Sequence, residues 1–202
     1  MIDQLAVAAG RDVSRETLEK LEAYAALLRA ENSRQNLVAA STLDELWQRH
    51  IVDSAQLLRF EPAVGASWAD VGSGAGVPGV VIACLVDGPV ILIEPRRLRA
   101  DFLHKLCESL ELNATVVACK VERAEGKYDV ITARAVTSLA RLLEISAHLS
   151  TRKTVWALPK GRSADRELVE ARRTWQGEFH VEQSVTDADS KIVVATEVRA
   201  RR

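Results

Sequence analysis

The first sixty residues carry hydrophobic side chains at the spacing of amphipathic helices. We predict one helix over residues 14–31, with Ser14 as its N-cap and the polar run ENSRQN as its end. A second helix is predicted over residues 41–60, where Thr42 and Glu45 have the spacing of a capping box. Both helices precede a segment with a different pattern.

From about residue 66, short apolar runs alternate with helical patterns. The predicted strands cover residues 67–71, 89–94, 114–120, 128–135, 154–159, 179–187 and 191–200, and the predicted helices cover residues 78–86, 96–112, 138–150 and 163–175. Alternation of this kind indicates an α/β fold with a mostly parallel, seven-stranded sheet and helices on both faces. The last two strands lack a helix between them, so we expect an antiparallel hairpin at one edge.

Length and composition bound the organisation of the chain. With 202 residues and 48% hydrophobic content, we expect one α/β domain over residues 64–202, with residues 1–63 as a helical extension packed on it. No signal peptide is recognisable, and the apolar stretches are too short to span a bilayer. The three cysteines lack metal-ligand spacing, so we expect no bound metal and buried free thiols, as in the reducing cytoplasm. We expect a monomer by default.

Charge is distributed unevenly along the chain. Residues 1–95 carry 7 Lys/Arg against 13 Asp/Glu, whereas residues 96–202 carry 20 against 15. A basic C-terminal half is compatible with an anion-binding face, although solvated helix faces give the same pattern.

A glycine-rich loop, GSGAGVPG, follows the first predicted strand. Its Gly74-x-Gly76-x-x-Gly79 spacing matches the dinucleotide fingerprint, and Glu94 ends the next strand 18 residues beyond Gly76. One hypothesis is therefore a regulatory module that binds NAD through this loop.

Two residues beside the loop favour a ligand without phosphate. Asp70 would repel a diphosphate, and Pro78 removes an N–H donor from the start of the following helix. S-adenosylmethionine carries an ammonium and a sulfonium, so a carboxylate at Asp70 would attract it, while Glu94 could accept hydrogen bonds from its ribose. The alternatives are a strand-end cap for Asp70 and an exposed acid for Glu94. The sequence thus predicts a Rossmann-like S-adenosylmethionine-dependent methyltransferase fold.

Residues at the ends of later strands are further candidates for contacts with the cofactor. Val121 and Glu122 follow the third predicted strand, where the adenine edge would lie. Arg134 ends the fourth predicted strand and would face the methyl donor, unless it forms a surface salt bridge.

Seven short motifs occur in a familiar order: QNLVA, RHIVDS, DVGSGAGVPGVVIA, LIEP, VERAE, ITARAV and LPKG. Together they resemble the GidB-like family of bacterial methyltransferases, which methylates guanine N7 in 16S ribosomal RNA. The resemblance runs from about Asn36 to the final strand. It implies a cofactor site made by Gly72, Gly74, Gly76, Val77, Glu94, Val121, Glu122 and Arg134.

Other matches to the family leave their roles open. Arg49, His50 and Asp53 match its N-terminal helical motif, and a hydrogen-bonded His50 that holds the helix is favoured over a catalytic one. Lys160 and Gly161 match the motif after the fifth strand. Unlike some members with a Lys-Arg pair here, this chain has Leu98 before Arg99.

The resemblance implies 16S ribosomal RNA as partner, within the small subunit or an assembly intermediate. Phosphate contacts need Lys and Arg, and with 4% aromatic residues we expect recognition by RNA shape. The candidates are Arg49, Arg96, Arg97, Arg99, Arg123, Lys160, Arg162 and the terminal RARR.

Guanine N7 has an exposed lone pair and no proton, so its methylation needs no general base. We therefore expect no nucleophile or acid–base residue, and Arg134 is the one candidate for positioning. A small-molecule methyltransferase, with the N-terminal helices as a substrate lid, is the alternative function.

Overall fold

A computed structural model describes residues 1–201 of the chain, so the last arginine of the terminal RARR lies outside the described residues. Its seven strands form one sheet in the order β3-β2-β1-β4-β5-β7-β6. They are β1 (Trp68–Val71), β2 (Val90–Ile93), β3 (Ala114–Val117), β4 (Val130–Thr132), β5 (Val155–Pro159), β6 (Trp175–Gln183) and β7 (Lys191–Ala200). Strands β1 to β5 are parallel, and the β6–β7 hairpin joins β5 in antiparallel fashion. The predicted sheet and its edge hairpin are confirmed.

Seven α-helices surround this sheet in the described part of the chain. They are α1 (Ile2–Ala9), α2 (Arg15–Gln35), α3 (Asp53–Ala55), α4 (Gly79–Leu85), α5 (Arg97–Ser109), α6 (Leu139–Ser146) and α7 (Ala164–Ala171). Between residues 1 and 201, no helix combines the length and the apolar character that a bilayer crossing requires.

The N-terminal helices differ from their predicted bounds. Helix α1 has no counterpart in the prediction, and α2 continues through the polar run to Gln35, where Asn36 ends it with φ 49°. The polar side chains are used by the helix: Glu31 accepts a hydrogen bond from Gln35, and buried Asn32 accepts one from the backbone N–H of Val38. These local contacts override weak helix propensity.

Residues 41–60 do not form one regular helix. A 3-10 turn (Ala40–Thr42), a π-helical turn (Trp47–Val52), the short α3 and a second 3-10 turn (Gln56–Phe60) replace it. The predicted capping box is wrong, because the Thr42 hydroxyl donates to the carbonyl of Ala39 instead. Irregular turns of this kind are frequent at functional sites.

One further boundary is wrong near the C-terminus. Helix α7 ends at Ala171, and β6 already begins at Trp175, inside the predicted helix. Half-buried Trp175 and Phe179 pack against the apolar cluster on one sheet face, so tertiary packing sets this strand's start.

Two buried clusters cover the two faces of the sheet, since alternate strand residues such as Leu92 and Ile93 belong to different clusters. The first cluster joins N-terminal residues, including Leu21 and Leu28, to Leu103 of α5. The extension therefore packs on the α/β core, while a domain boundary at residue 63 stays a prediction. The three cysteines are free but only half-buried, which corrects the expectation of buried thiols.

Candidate functional site

The loop after β1 requires glycine at several positions. Gly72, Gly74 and Gly76 have φ values of 73°, 54° and 93°, a region that other residues rarely adopt. A Cβ at Gly72 would lie 2.7 Å from the side chain of Val136, and one at Gly76 would lie 2.7 Å from that of Val80. The chain therefore approaches its neighbours too closely for any side chain at either position.

Asp70 lies behind the loop. Its side chain is buried, and Oδ2 accepts a hydrogen bond from the backbone N–H of Gly79 at 3.1 Å, at the start of α4. Burial raises the pKa of this carboxyl to about 7. Asp70 is not among the residues that line the two clefts beside the loop, so the expected contact with a cationic ligand is not made through either cleft. Its carboxylate instead caps the start of α4, which also differs from the strand-end cap of the alternative interpretation.

Glu94 ties the loop to the end of β2. Its Oε2 accepts a hydrogen bond from the N–H of Gly74 at 2.9 Å, and its Oε1 accepts one from the N–H of Arg96 at 2.8 Å. The residue is only 3% exposed, so it is not the exposed strand-end acid of the alternative interpretation. Each oxygen retains a lone pair for a further donor.

A cleft of about 290 Å³ opens beside this carboxylate, and we call it the Glu94 cleft. Its lining includes Gly72, Glu94, Arg96, Lys120, Val121 and Glu122. Gly72, Glu94, Val121 and Glu122 were all candidates from the sequence, and the fold brings them together. Lys120 was missed, although it directly precedes the VERAE motif.

A second cleft of about 330 Å³ lies along the glycine loop, and we call it the loop cleft. Its lining includes Val38, His50, Gly74, Val77, Arg99 and Arg134. Gly72, Arg99 and Ala135 line both clefts, so the two clefts are adjacent. Gly76 lines neither cleft; its N–H donates to Ser73, so it shapes the turn from within.

The N-terminal segment supplies one wall of the loop cleft. Leu37, Val38 and Ala39 line it, and the hydroxyl of buried Tyr24 in α2 donates a hydrogen bond to the carbonyl of Ala75 at 3.0 Å. The sequence alone predicted no role in the site for Leu37, Val38 or Ala39, although they belong to the QNLVA motif. The segment thus holds the loop from outside the α/β core.

Arg134 stands where the N-terminal segment meets the end of β4. Its Nη2 donates a hydrogen bond to the carbonyl of Arg49 at 2.9 Å, and its Nη1 lies 3.6 Å from the carboxylate of Asp53. The side chain is 25% exposed and lines the loop cleft. Arg134 therefore forms a salt bridge, as the alternative interpretation expected, but this salt bridge lies at the wall of the loop cleft and not on the open surface.

His50 is buried in the wall of the loop cleft. Its Nε2 lies 3.0 Å from the hydroxyl of Thr42. Because that hydroxyl donates to Ala39, Nε2 carries the proton in this pair and Nδ1 has no partner among the described residues. Burial, together with the charges of Arg134 and Arg49, lowers the pKa of His50 to about 4. The ring is therefore neutral near pH 7.

The predicted RNA contacts fall into two groups. The side chains of Arg96, Arg97 and Arg123 are exposed, and Arg162 is exposed in an ion pair with Asp189. Arg49 is also exposed and pairs with Glu45, while Arg99 is partly buried between the two clefts.

Lys160 does not fit the role of an RNA contact. Its side chain is only 8% exposed, and Nζ donates to the carbonyl of Thr137 at 2.7 Å while pairing with Glu167 at 3.1 Å. The ammonium is thus already satisfied inside the protein, which corrects the expectation that it meets a phosphate. Gly161 follows with φ 58°, which turns the chain away from β5.

Comparisons with known proteins identify the family to which the chain belongs. The family model for GidB, described as rRNA small subunit methyltransferase G, matches residues 17–194. A protein of Zymomonas mobilis named Ribosomal RNA small subunit methyltransferase G is 46% identical over 94% of this chain and 90% of its own length.

Solved structures share the fold alone. A ribosomal protein L11 methylase from Lactobacillus delbrueckii aligns with a TM-score of 0.57 and 13% identity, over 75% of this chain and 78% of its own. The TYW2 protein of P. horikoshii, solved in complex with MeSAdo, aligns with a TM-score of 0.55 and 14% identity, over 70% and 61%. The family-model match over residues 17–194 and the 46% identical relative show that the chain belongs to the GidB family, rRNA small subunit methyltransferase G.

Proposed function

We propose that this protein transfers the methyl group of S-adenosylmethionine to N7 of a guanine in the 16S ribosomal RNA of the small subunit. The observation that carries the proposal is the pair of adjacent clefts beside Glu94 and the glycine loop, in a chain of this family. Its relatives carry the name of a small-subunit ribosomal RNA methyltransferase.

The residues present fit S-adenosylmethionine. Glu94 has free lone pairs for the ribose hydroxyls, and Val121 gives the Glu94 cleft an apolar surface for adenine. Gly72 and Gly74 line the loop cleft with bare backbone, which would accommodate the methionine portion. A fold relative was solved with MeSAdo, which is consistent with the same cofactor class.

When bound, S-adenosylmethionine supplies an electrophilic methyl group on a sulfonium. Since guanine N7 carries a lone pair and no proton, the protein's task is to align the reactants and exclude water, which can supply about 7–11 kcal/mol in favourable cases. Arg134, fixed by Arg49 and Asp53, gives the cleft a defined wall. Neutral His50 adds no positive charge to the loop cleft, where a sulfonium would be disfavoured by one.

Exposed arginines supply the charge that an RNA backbone requires. Arg96 lines the Glu94 cleft, and Arg97 and Arg123 are exposed beside residues that line it. We take this face to contact phosphates of the small subunit or of an assembly intermediate, with the protein acting as a monomer.

The proposal is tested by incubating small subunits and naked ribosomal RNA with methyl-labelled cofactor and mapping the label. We expect the label on N7 of one guanine of 16S RNA, and none with the Gly74→Asp variant. Transfer to a small molecule with no label on either RNA would replace the proposal with a small-molecule methyltransferase.

A further inference from the structure

The arginine cluster at the start of α5 contains one member whose surroundings differ from those of the others. Arg96 lines only the Glu94 cleft, and exposed Arg97 lines neither cleft. Arg99 is partly buried and lines both clefts, and its Nη1 lies 3.4 Å from the position that a Cβ at Gly74 would occupy. The guanidinium of Arg99 therefore lies beside the glycine loop and not on the open surface of the helix.

This guanidinium has no partner within residues 1–201. It donates no hydrogen bond to a protein acceptor, and it pairs with no carboxylate. The carboxylate of Glu94 accepts instead from two backbone N–H groups, those of Gly74 and Arg96. A guanidinium presents five N–H donors in a planar fork that matches a carboxylate or a phosphate. Since the protein uses none of these donors, Arg99 is suited to an anionic group of a ligand.

The loop cleft carries positive charge without an acid to offset it. Its described lining contains Arg99 and Arg134 but no Asp or Glu, and His50 is neutral near pH 7. Arg134 donates to the carbonyl of Arg49 and faces the carboxylate of Asp53 at 3.6 Å. Among the lining residues that the structure describes, Arg99 is therefore the cation whose charge the protein leaves unbalanced.

The charges of S-adenosylmethionine narrow the choice of anion. The methionine portion, which the glycine loop would accommodate, carries an ammonium, a sulfonium and a carboxylate. Because like charges repel, only the carboxylate of these three groups can approach a guanidinium favourably. An RNA phosphate is the other anion that this protein would meet. It would reach the exposed guanidinium groups of Arg96 and Arg97 first, because Arg99 is partly buried between the two clefts.

We propose that Arg99 binds the carboxylate of the methionine portion of the cofactor. The proposal rests on the function proposed above and replaces the phosphate contact that the sequence predicted for this residue. Arg99 donates to the carboxylate through its fork of N–H groups, and the charge of each group balances that of the other. The residue thereby makes the site specific for adenosyl compounds that retain the carboxylate.

The contact is the same before and after methyl transfer. S-adenosylmethionine and S-adenosylhomocysteine both carry the carboxylate, which takes no part in the transfer itself. An interaction that is equally strong in the ground state and the transition state lowers KM without raising kcat. Arg99 therefore acts on the affinity for the cofactor and not on the transfer step.

A direct test compares two ligands that differ only in this carboxylate. S-adenosylhomocysteine and its decarboxylated analogue, S-adenosyl-3-thiopropylamine, are titrated by calorimetry into the unmodified protein and into Arg99→Gln. We expect the unmodified protein to bind S-adenosylhomocysteine about 10- to 100-fold more tightly than the analogue. Arg99→Gln should bind the two ligands within about threefold of each other. An equal preference in both proteins, or no preference in the unmodified protein, would overturn the proposal.

Two further variants separate a direct contact from a general effect of charge. Lys105→Gln removes an exposed cation from the same helix and should keep the full preference for the carboxylate. Arg99→Lys keeps the charge but loses the planar fork, so it should retain part of the preference. A preference that disappears in Lys105→Gln as well contradicts a specific contact. Thermal unfolding is measured on every variant, and Arg99→Lys takes the place of Arg99→Gln if the latter does not fold.

Kinetics and RNA binding distinguish this role from a phosphate contact. With saturating RNA, Arg99→Gln should raise KM for S-adenosylmethionine about 10- to 100-fold, while kcat changes less than about threefold. If Arg99→Gln instead lowers the salt dependence of RNA binding and keeps the preference for the carboxylate, Arg99 contacts RNA and the proposal is wrong.

The two proposals fail in different ways. If the unmodified protein methylates guanine N7 and its preference for the carboxylate does not depend on Arg99, only the role of Arg99 is wrong. If the unmodified protein labels neither RNA, the proposed function itself is wrong, whichever ligand binds more tightly.

Discussion

The carboxylate of Glu94 accepts a hydrogen bond from the backbone N–H of Gly74, with 2.9 Å between Oε2 and N. This bond joins the end of β2 to the loop that follows β1. The neighbouring Oε1 accepts from the N–H of Arg96, so one buried side chain sets both the loop and the start of α5. The shape of the Glu94 cleft therefore depends on a carboxylate that accepts hydrogen bonds through both of its oxygens.

We predict that Glu94→Gln weakens the binding of S-adenosylhomocysteine about 10- to 100-fold. An amide offers one oxygen acceptor and turns an N–H₂ donor toward one of the two backbone N–H groups, and an unpaired buried donor costs about 1–3 kcal/mol. Isothermal titration calorimetry measures the affinity. Glu125→Gln is the control, because that side chain is exposed; equal affinity of the two variants would contradict the assignment.

Gly74→Asp is expected to abolish cofactor binding. The residue has φ 54°, and a Cβ would lie 3.4 Å from Nη1 of Arg99 and 4.0 Å from Oε2 of Glu94, so a second carboxylate would stand beside the first. Left-handed backbone costs an L-residue about 1–2 kcal/mol by itself.

The matched control for this substitution is Gly65→Asp. Gly65 also has a positive φ, of 82°, but a Cβ there meets nothing within 4 Å. Both variants should lose similar stability in thermal unfolding, and only Gly74→Asp should lose binding. Retained binding by Gly74→Asp would show that the ligand does not approach this part of the loop.

Asp70 makes the stability of the protein depend on pH. Its pKa rises from 3.8 to about 7 on folding, because burial disfavours the charged form. Between these pH values the folded state thus holds a proton that the unfolded state has lost. The contribution of this proton to the free energy of unfolding is fully present below pH 3.8 and is lost as pH rises through about 7.

Asp70→Asn removes this dependence, since the amide stays neutral. The free energy of unfolding of the variant minus that of the unmodified protein should rise by roughly 2–4 kcal/mol between pH 4 and pH 8. Denaturant titrations at several pH values measure the difference, and groups common to both proteins, such as His50, cancel from it. A difference that does not change with pH would contradict the buried, protonated state.

Lys160 should matter for stability and not for RNA affinity. Lys160→Met is expected to cost about 1–3 kcal/mol, because the carbonyl of Thr137 and the carboxylate of Glu167 each lose a donor, and the double variant with Glu167→Gln should recover part of the loss. Chemical unfolding measures both. If Lys160→Met folds normally but binds small subunits weakly, the lysine reaches the RNA after all.

The exposed arginines should control the salt dependence of RNA binding. Replacing Arg96, Arg97 and Arg123 with alanine should lower the slope of log affinity against log salt by about 0.7–0.9 for each phosphate that the protein no longer neutralises. Filter binding to small subunits over a range of salt concentrations provides the slope. Replacement of Arg15 and Arg29 on α2 is the control, and an equal change there would place the RNA face elsewhere.

The centre of the sheet follows from the sequence because β1 and β4 are buried on both faces. Residues such as Trp68 and Val130 belong to short apolar runs bounded by turn residues, a pattern that is typical of buried parallel strands. Residues 41–60 were not predictable in the same way. Their π-helical and 3-10 turns accompany contacts made across the fold, such as that between Arg134 and the carbonyl of Arg49.

The candidate site was also predictable only in part. The spacing of glycines and Glu94 identified the loop and the acid that meets it, because strand ends of a parallel sheet share one edge. The pattern could not say on which side of the loop Asp70 lies, nor that Lys160 pairs with Glu167 across the turn after β5. Both depend on side-chain directions that only the packed structure determines.

The hydrogen bond from Tyr24 to the carbonyl of Ala75 has a practical consequence for engineering. A helix from the beginning of the chain thus holds the glycine loop, so the conformation of the loop depends on residues outside the α/β portion. Trimming the protein to its α/β portion, or grafting the loop onto another scaffold, would remove the hydrogen-bond donor of the Ala75 carbonyl. Shortened versions made for screening should therefore retain α2, even where the α/β portion alone is soluble.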